Sequence, residues 1–247
     1  MFTVEQRRLV RAQLIDRARS DPRIVGAALT GSGARDTEDS WSDIDLFFGV
    51  TPGNELSATL EDWSAYVYQE FGAIHHFDLQ GGPAVYRAFL LGELLEIDLG
   101  FVPSSAFGPR GDGAFKVLFG NPAPRQSSPL DTEHLIGRSW HHVLHARTCI
   151  ERGALWQAEY WISALRDHTL TLACHRLGAS VEYAKGADHL PVSVTGPLRE
   201  ALVRTLEAGE LRRALKVATQ ALLVELRTPS NSASTSLETA LIALAEG

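Results

Sequence analysis

An apolar run, Ile24 to Leu29, ends in the small-residue turn Thr30-Gly31-Ser32-Gly33. After a polar loop, Asp43-Ile44-Asp45 opens a second apolar run, Leu46-Phe47-Phe48. This stretch constrains the fold more than any other. Residues two apart on a strand share a face, so Asp43 and Asp45 project together while Ile44 and Leu46 turn into a core. Two carboxylates held side by side repel each other, which costs stability unless a cation sits between them. Hard oxygen ligands of this kind suit magnesium, which takes one or two carboxylates and completes its shell with water and phosphate. Gly31 has no Cβ to block a close approach, and the Gly31-Ser32 turn offers backbone N–H groups and a hydroxyl to a phosphate. Solvated acids at an exposed strand end, and an ordinary turn serine, are the plain alternative for the same residues.

Gly31-Ser32, ten intervening residues and then Asp43-Ile44-Asp45-Leu46 resembles the signature of the nucleotidyltransferase superfamily, whose members include DNA polymerase beta. The resemblance covers roughly residues 24–102. It implies a third carboxylate from a later strand in an apolar-acid-apolar setting, and Leu95-Glu96-Ile97-Asp98-Leu99 supplies Asp98. Glu96 lies two residues away on the same strand face and could share or replace that role. By the resemblance, Asp43 and Asp45 ligate two magnesium ions and Asp98 ligates one of them. A substrate hydroxyl then attacks the α-phosphate of ATP or another nucleoside triphosphate, and pyrophosphate leaves, held by Ser32 and the Gly31/Ser32 backbone. Arg35, in the loop after the turn, could meet the triphosphate or simply face solvent.

Composition narrows the choice of substrate. The 247 residues are 45% hydrophobic and 21% charged, as in an ordinary globular protein, and the net charge is −7. A chain that grips a nucleic-acid backbone usually shows a basic stripe, and none stands out, so nucleic acid is not the expected partner. An acidic surface suits a cationic small substrate instead. Cys149 and Cys174 form no C-x-x-C pattern and read as reduced, buried thiols. Glu5, Arg7, Arg8 and Arg11 interrupt any signal-peptide core, and no apolar run reaches the roughly 20 residues that cross a bilayer. The expectation is a soluble, cytoplasmic protein with no membrane partner.

Along the chain, helix formers over 3–20 precede the central strands, and Leu56, Leu60, Trp63, Val67 and Phe71 predict a helix over 55–71. Strands are predicted at 73–79, 84–91 and 94–102, with a last one at 116–119. Turns are expected at 51–54, at Gly81-Gly82-Pro83 and at Gly92-Glu93. The fold class is therefore α+β: a nucleotidyltransferase-type domain over 1–128 with a mixed β-sheet and flanking helices. Prolines at 103, 109, 122, 124 and 129 mark the change to an all-α helical bundle over 129–247. Its helices are predicted at 132–152, 154–177, 196–208, 209–227 and 235–246, with a Pro/Ser-rich break at 228–232.

This division resembles the small antibiotic nucleotidyltransferases that adenylylate aminoglycosides or lincosamides. The resemblance implies a small hydroxylated acceptor, a helical domain that binds it, and a general base that the helical domain can supply. Glu159 is the candidate, on one helix face with Trp156 and Tyr160. The alternative is that the aromatics are bundle core and Glu159 pairs with a nearby base. Lys185 could reach a triphosphate or be a surface lysine. His141 and His145 stand one helical turn apart, a zinc-ligand spacing, but His142 occupies the position where a metalloprotease needs glutamate. His75 and His76 would point to opposite faces of a strand. Several small nucleotidyltransferases place the active site at a dimer interface, which leaves room for a homodimer. A transferase acting on RNA or a partner protein, and a nucleotide-binding module without catalysis, are the other readings of the same motif.

Overall fold

The computed structural model describes residues 2–52, 56–111, 113–126, 129–228 and 235–246. The expected turn positions 53–54 and most of the Pro/Ser-rich break, residues 229–232, lie outside them. The chain divides into two compact units, Met1–Ser128 and Pro129–Gly247.

In the first unit, helix α1 (Val4–Ser20) starts at a capping box in which Thr3 and Gln6 exchange side-chain and backbone hydrogen bonds. Strand β1 (Ile24–Leu29) follows, then β2 (Ile44–Val50), helix α2 (Leu56–Phe71) and the antiparallel hairpin β3 (Ala73–Gly81) and β4 (Ala84–Leu91). Strands β5 (Glu96–Pro103) and β6 (Lys116–Phe119) complete a six-stranded sheet in the order β3-β4-β5-β2-β1-β6. The β2–β5 pair is parallel and its neighbours are antiparallel, so the sheet is mixed, as expected.

One face of the sheet is closed by the two helices. Leu14 and Ala18 of α1, Trp63 and Val67 of α2, and Ile44, Leu46, Phe48, Ile97, Leu99 and Phe101 of the strands form one buried cluster. The opposite face is covered only in part. Phe107 and Phe115 pack on Phe47 there, with ring centroids 6.2 and 6.1 Å away. Gly26 and Gly49 make room, since a Cβ on either would come within 2.6 and 2.9 Å of Phe107. The remaining strip of this face carries the acidic side chains.

The turn before β5 differs from a plain hairpin connection. Gly92–Leu94 forms a 3₁₀ turn in which Glu93 and Leu94 take left-handed backbone angles, so β5 starts at Glu96 rather than at 94.

The second unit is helical: α3 (Thr132–Glu151), α4 (Leu155–Arg176), α5 (Val192–Glu200), α6 (Ala208–Leu226) and α7 (Thr235–Glu246). Leu165, Leu172, Leu211, Leu215, Leu222 and Leu241 lie in its core. Arg176 forms a two-bond pair with the buried Glu225, at 2.7 and 2.8 Å. The helix expected over 196–208 runs instead over 192–200 and holds Pro197 inside it. The Arg213 guanidinium donates to the carbonyls of Glu200 and Leu202, and Glu210 accepts from the N–H of Arg204. These long-range bonds hold 201–207 as a turn into α6. Both cysteines are free and buried. No helix among the described residues is long and apolar enough to cross a membrane.

Candidate active site

Asp43 is the residue just before β2, Asp45 is its second residue, and Asp98 lies on β5 directly across from Asp45 in the parallel register. Ile44 and Leu46 are 2% and 1% exposed on the helix-covered face, which turns the acids to the other. One carboxylate oxygen from each of Asp43, Asp45 and Asp98 lies within 4.8 Å of the others. Among the described residues this is the only group of three such side chains placed to share an ion.

Gly31 fixes the geometry on the β1 side. Its φ is +55°, a left-handed backbone, and a Cβ built there would lie 1.9 Å from Asp45 Oδ2. Glycine is therefore required twice, for the turn and for the carboxylate that fills the space. The Thr30 N–H donates to the Asp45 carbonyl at 3.3 Å, tying the turn to β2. The Ser32 carbonyl accepts from the N–H groups of Arg35 and Thr37, while the Ser32 hydroxyl is buried without a partner.

Asp98 is the electrostatic centre. Burial first, then the charges of Glu96 and Asp43 and a hydrogen bond with Glu96, push its carboxyl up to about 7. Its Oδ1 is buried with no hydrogen-bond partner. A buried carboxylate oxygen without a donor, facing two more acids, is an unmet demand for a cation. The donor set is all oxygen, so the three acids fit magnesium.

The loop that delivers Asp43 is held by α1, a feature the sequence does not signal. Arg7, 6% exposed, donates from Nη1 to the carbonyls of Asp39 and Ser42 at 2.6 and 2.9 Å, and from Nη2 to those of Ser40 and Phe2 at 2.7 and 3.1 Å. Arg11 pairs with Glu38 in the same loop. Asp39 closes it with bonds from the Trp41 N–H and the Ser42 hydroxyl, which hold its carboxyl below the usual range. Arg7 falls on the buried stripe of α1 with Val10, Leu14 and Ala18, but nothing local marks its acceptors in the loop, which are more than thirty residues away.

The other expected residues have local contacts of their own. Arg35 closes the 3₁₀ turn Gly33–Arg35 and is exposed. Glu159, on α4, accepts from the Ser163 hydroxyl at 2.6 Å, and Ser163 in turn accepts from Arg166 at 3.3 Å. Its neighbours Trp156 and Tyr160 are 78% and 60% exposed, so these two rings are surface and not bundle core. Lys185 is exposed, its ammonium 5.7 Å from the Tyr183 ring centre. The His141 and His145 rings lie tilted against each other with centroids 4.1 Å apart, with no third ligand beside them among the described residues. His76 bonds the Tyr68 hydroxyl at 2.9 Å. A cavity of about 710 Å³ lies along α1 and is lined by Arg17, Asp21, Arg23 and Tyr66 but by none of the three acids.

No family model matches the chain, and no curated protein matches it. Among solved structures, an aminoglycoside 6-adenyltransferase from Bacillus subtilis is similar at a TM-score of 0.47 and 12% identity, over 100% of this chain and 98% of that one. A nucleotidyltransferase-like protein from Exiguobacterium sibiricum is similar at a TM-score of 0.38 and 13% identity, over 91% of this chain and 76% of that one. Likeness this distant assigns no role to any residue, and the functional reading rests on the acids and the glycine turn.

Proposed function

We propose that the chain is a magnesium-dependent nucleotidyltransferase that moves a nucleoside monophosphate, AMP from ATP, onto a hydroxyl of a small molecule of the aminoglycoside or lincosamide kind. The observation that carries this reading is the meeting of Asp43, Asp45 and Asp98 beside a glycine turn that only a Cβ-free residue can make.

Asp43, Asp45 and Asp98 would hold the metal, with two ions expected. Bound magnesium supplies charge neutralisation at the phosphates. The chain's own groups do the rest. The Gly31–Ser32 turn presents its N–H groups and the unpartnered Ser32 hydroxyl to the outgoing phosphates. The acceptor hydroxyl oxygen forms a bond to the α-phosphorus while the bond to the bridging oxygen breaks, and pyrophosphate departs with that electron pair. The hydroxyl proton passes to a carboxylate, Asp98 in this reading. Glu159 is the alternative base. Residues 1–128 form the catalytic domain in this reading and 129–247 the acceptor-binding domain, with Arg35 and Lys185 as further phosphate contacts. The setting is the cytoplasm.

The test is pyrophosphate release with magnesium, offering ATP, GTP, CTP and UTP against aminoglycosides and lincosamides, with Asp45→Asn alongside. Release that needs one nucleotide, one acceptor and intact Asp45 supports the reading. Nucleotide binding without release on any acceptor of the panel sends the search to protein or RNA acceptors. Absence of nucleotide binding overturns the reading.

A further inference from the structure

The strand register extends the acid site sideways into an uncovered apolar strip. Asp45 lies opposite Asp98, Asp98 opposite Ala88, and Ala88 opposite Phe77. One step along the strands, Gly100 lies opposite Tyr86 and Tyr86 opposite Leu79. One step the other way, Glu96 lies opposite Leu90. Cross-strand partners share a face, so Phe77, Leu79 and Leu90 stand on the acids' side of the sheet. Phe77, Leu79 and Leu90 are 51%, 51% and 40% exposed. Phe77 sits two strand spacings from Asp98, roughly 10 Å.

In-line displacement says which substrate uses this strip. The attacking and leaving oxygens stand on opposite sides of the phosphorus. Gly31 and Ser32 flank Asp45 on the β1 side, and Asp98 flanks it on the β5 side. If the leaving phosphates lie on the Gly31–Ser32 turn, the attacking hydroxyl arrives from beyond Asp98, over β4 and β3. The surface it meets there carries the apolar side chains of Phe77, Leu79 and Leu90 together with Tyr86, with the exposed Glu96 carboxyl at its inner edge and the exposed His75 beside Leu90.

We propose that the outer strip of this sheet, Phe77, Leu79 and Leu90, is an acceptor subsite that the first unit adds to what 129–247 supplies, and that it selects a cationic amphiphile: a molecule carrying a hydroxyl, an amine that pairs with Glu96, and an alkyl arm that covers the strip. This rests on the nucleotidyltransferase reading and sharpens it, because a polyamine sugar with no alkyl arm would leave the strip wet.

The test measures binding, not turnover. With magnesium and α,β-methylene-ATP present, calorimetry compares lincomycin, an amino alcohol with an alkyl arm, with kanamycin, a polyamine sugar without one. The variants are Phe77→Ser and Leu79→Ser, both at exposed edge-strand positions where the fold tolerates a polar side chain. The expected result is that lincomycin binds more tightly than kanamycin. Each substitution then weakens lincomycin on the order of tenfold, the loss expected from exposing a large apolar contact, and leaves nucleotide affinity within about twofold. Tighter binding of kanamycin, lincomycin affinity indifferent to both substitutions, or no lincomycin binding while the nucleotide binds would each overturn the subsite. A wild-type dimer that Phe77→Ser converts to monomer, with lincomycin affinity unchanged, would assign the strip to a second copy of the chain. Failure of the nucleotide itself to bind would overturn the parent reading and the subsite with it.

Discussion

The two units each carry a cluster of ionisable side chains, and the clusters resolve the cost of burial in opposite ways. On the sheet, burial and neighbouring acids push Asp98 up to about 7. On α3 and α4, burial and nearby positive groups push His142 and His168 down to about 4. Both clusters leave buried atoms without partners, Asp98 Oδ1 in one and the Nδ1 atoms of His142 and His168 in the other. An orphaned atom therefore does not tell site from scaffold. What differs is the neutral state. Uncharged imidazoles pack against rings: His142 stacks on His168 at 4.6 Å and 25° and lies tilted against Trp161 at 4.8 Å. Three carboxylates lie within 4.8 Å of one another, with Asp98 hydrogen-bonded to Glu96, and Gly31 has no side chain where Asp45 comes in. The imidazole cluster fills its space with rings, whereas the acids converge with an all-oxygen donor set that fits a cation.

The sharpest way to break this comparison is Gly31→Ala. The new Cβ would overlap Asp45 Oδ2, and alanine disfavours the left-handed backbone by about 1–2 kcal/mol. Displacing one carboxylate by an ångström is expected to cut pyrophosphate release by about 10²-fold or more, whereas His145→Gln is expected to leave it within about twofold. Equal losses in the two variants would mean that the imidazole cluster takes part in the chemistry and that the distinction fails.

Asp98→Asn should separate stability from activity. The folded chain holds a proton on Asp98 between about pH 4 and 7 that the unfolded chain has released, so stability falls as pH rises through that window. Replacing the acid removes this cost. In EDTA at pH 8, urea unfolding is expected to show the variant more stable than wild type by roughly 1–4 kcal/mol, with the gap closing towards pH 5. Magnesium added to the wild type at pH 8 should narrow the same gap, while pyrophosphate release by the variant is lost. A variant that is no more stable at pH 8 would show that the acids are relaxed by solvent and need no cation.

Much of this site was legible because its signals are local. The strand alternation that buries Ile44 and Leu46 turns Asp43 and Asp45 outward, whereas Asp98 on β5 was picked out by the resemblance to the nucleotidyltransferases, and the parallel register sets it across from Asp45. The glycine turn was legible as a close approach, although the partner it admits, Asp45 itself, appears only in three dimensions. Features set by distant contacts were not legible. Arg7 reads as one more charge on a surface helix, yet it is buried by carbonyls from 39, 40 and 42. α5 ends at Glu200 rather than at 208 because Arg213 and Glu210 hold the segment after it. Trp156 and Tyr160 follow a helical spacing that fits a core, but the stripe that α4 buries is Ala158, Ile162 and Leu165. Spacing gives a face, and which face is buried depends on the partner helix.

The smallest expected effect tests the scaffold side of the comparison. His142 is 3% exposed and His168 half-buried, and Arg138, His134, His141 and His145 surround them with groups that oppose a positive charge. Both are held neutral in the fold, with values below the unfolded 6.5. From pH 6.5 down towards 4 the unfolded chain binds protons that the folded chain refuses, so stability is present above this window and is lost as pH falls through it. Between pH 7 and 5 the pair is expected to cost the wild type roughly 1–3 kcal/mol, read by urea unfolding. His168→Gln keeps a polar group of similar length and removes one titrating ring, so its stability should fall less steeply over the same range. The group of acids placed to share an ion includes no imidazole, so magnesium binding measured at pH 7 should be the same in His168→Gln and wild type. An acid limb that stays as steep in the variant would place the proton uptake on other groups and remove the imidazole half of the comparison.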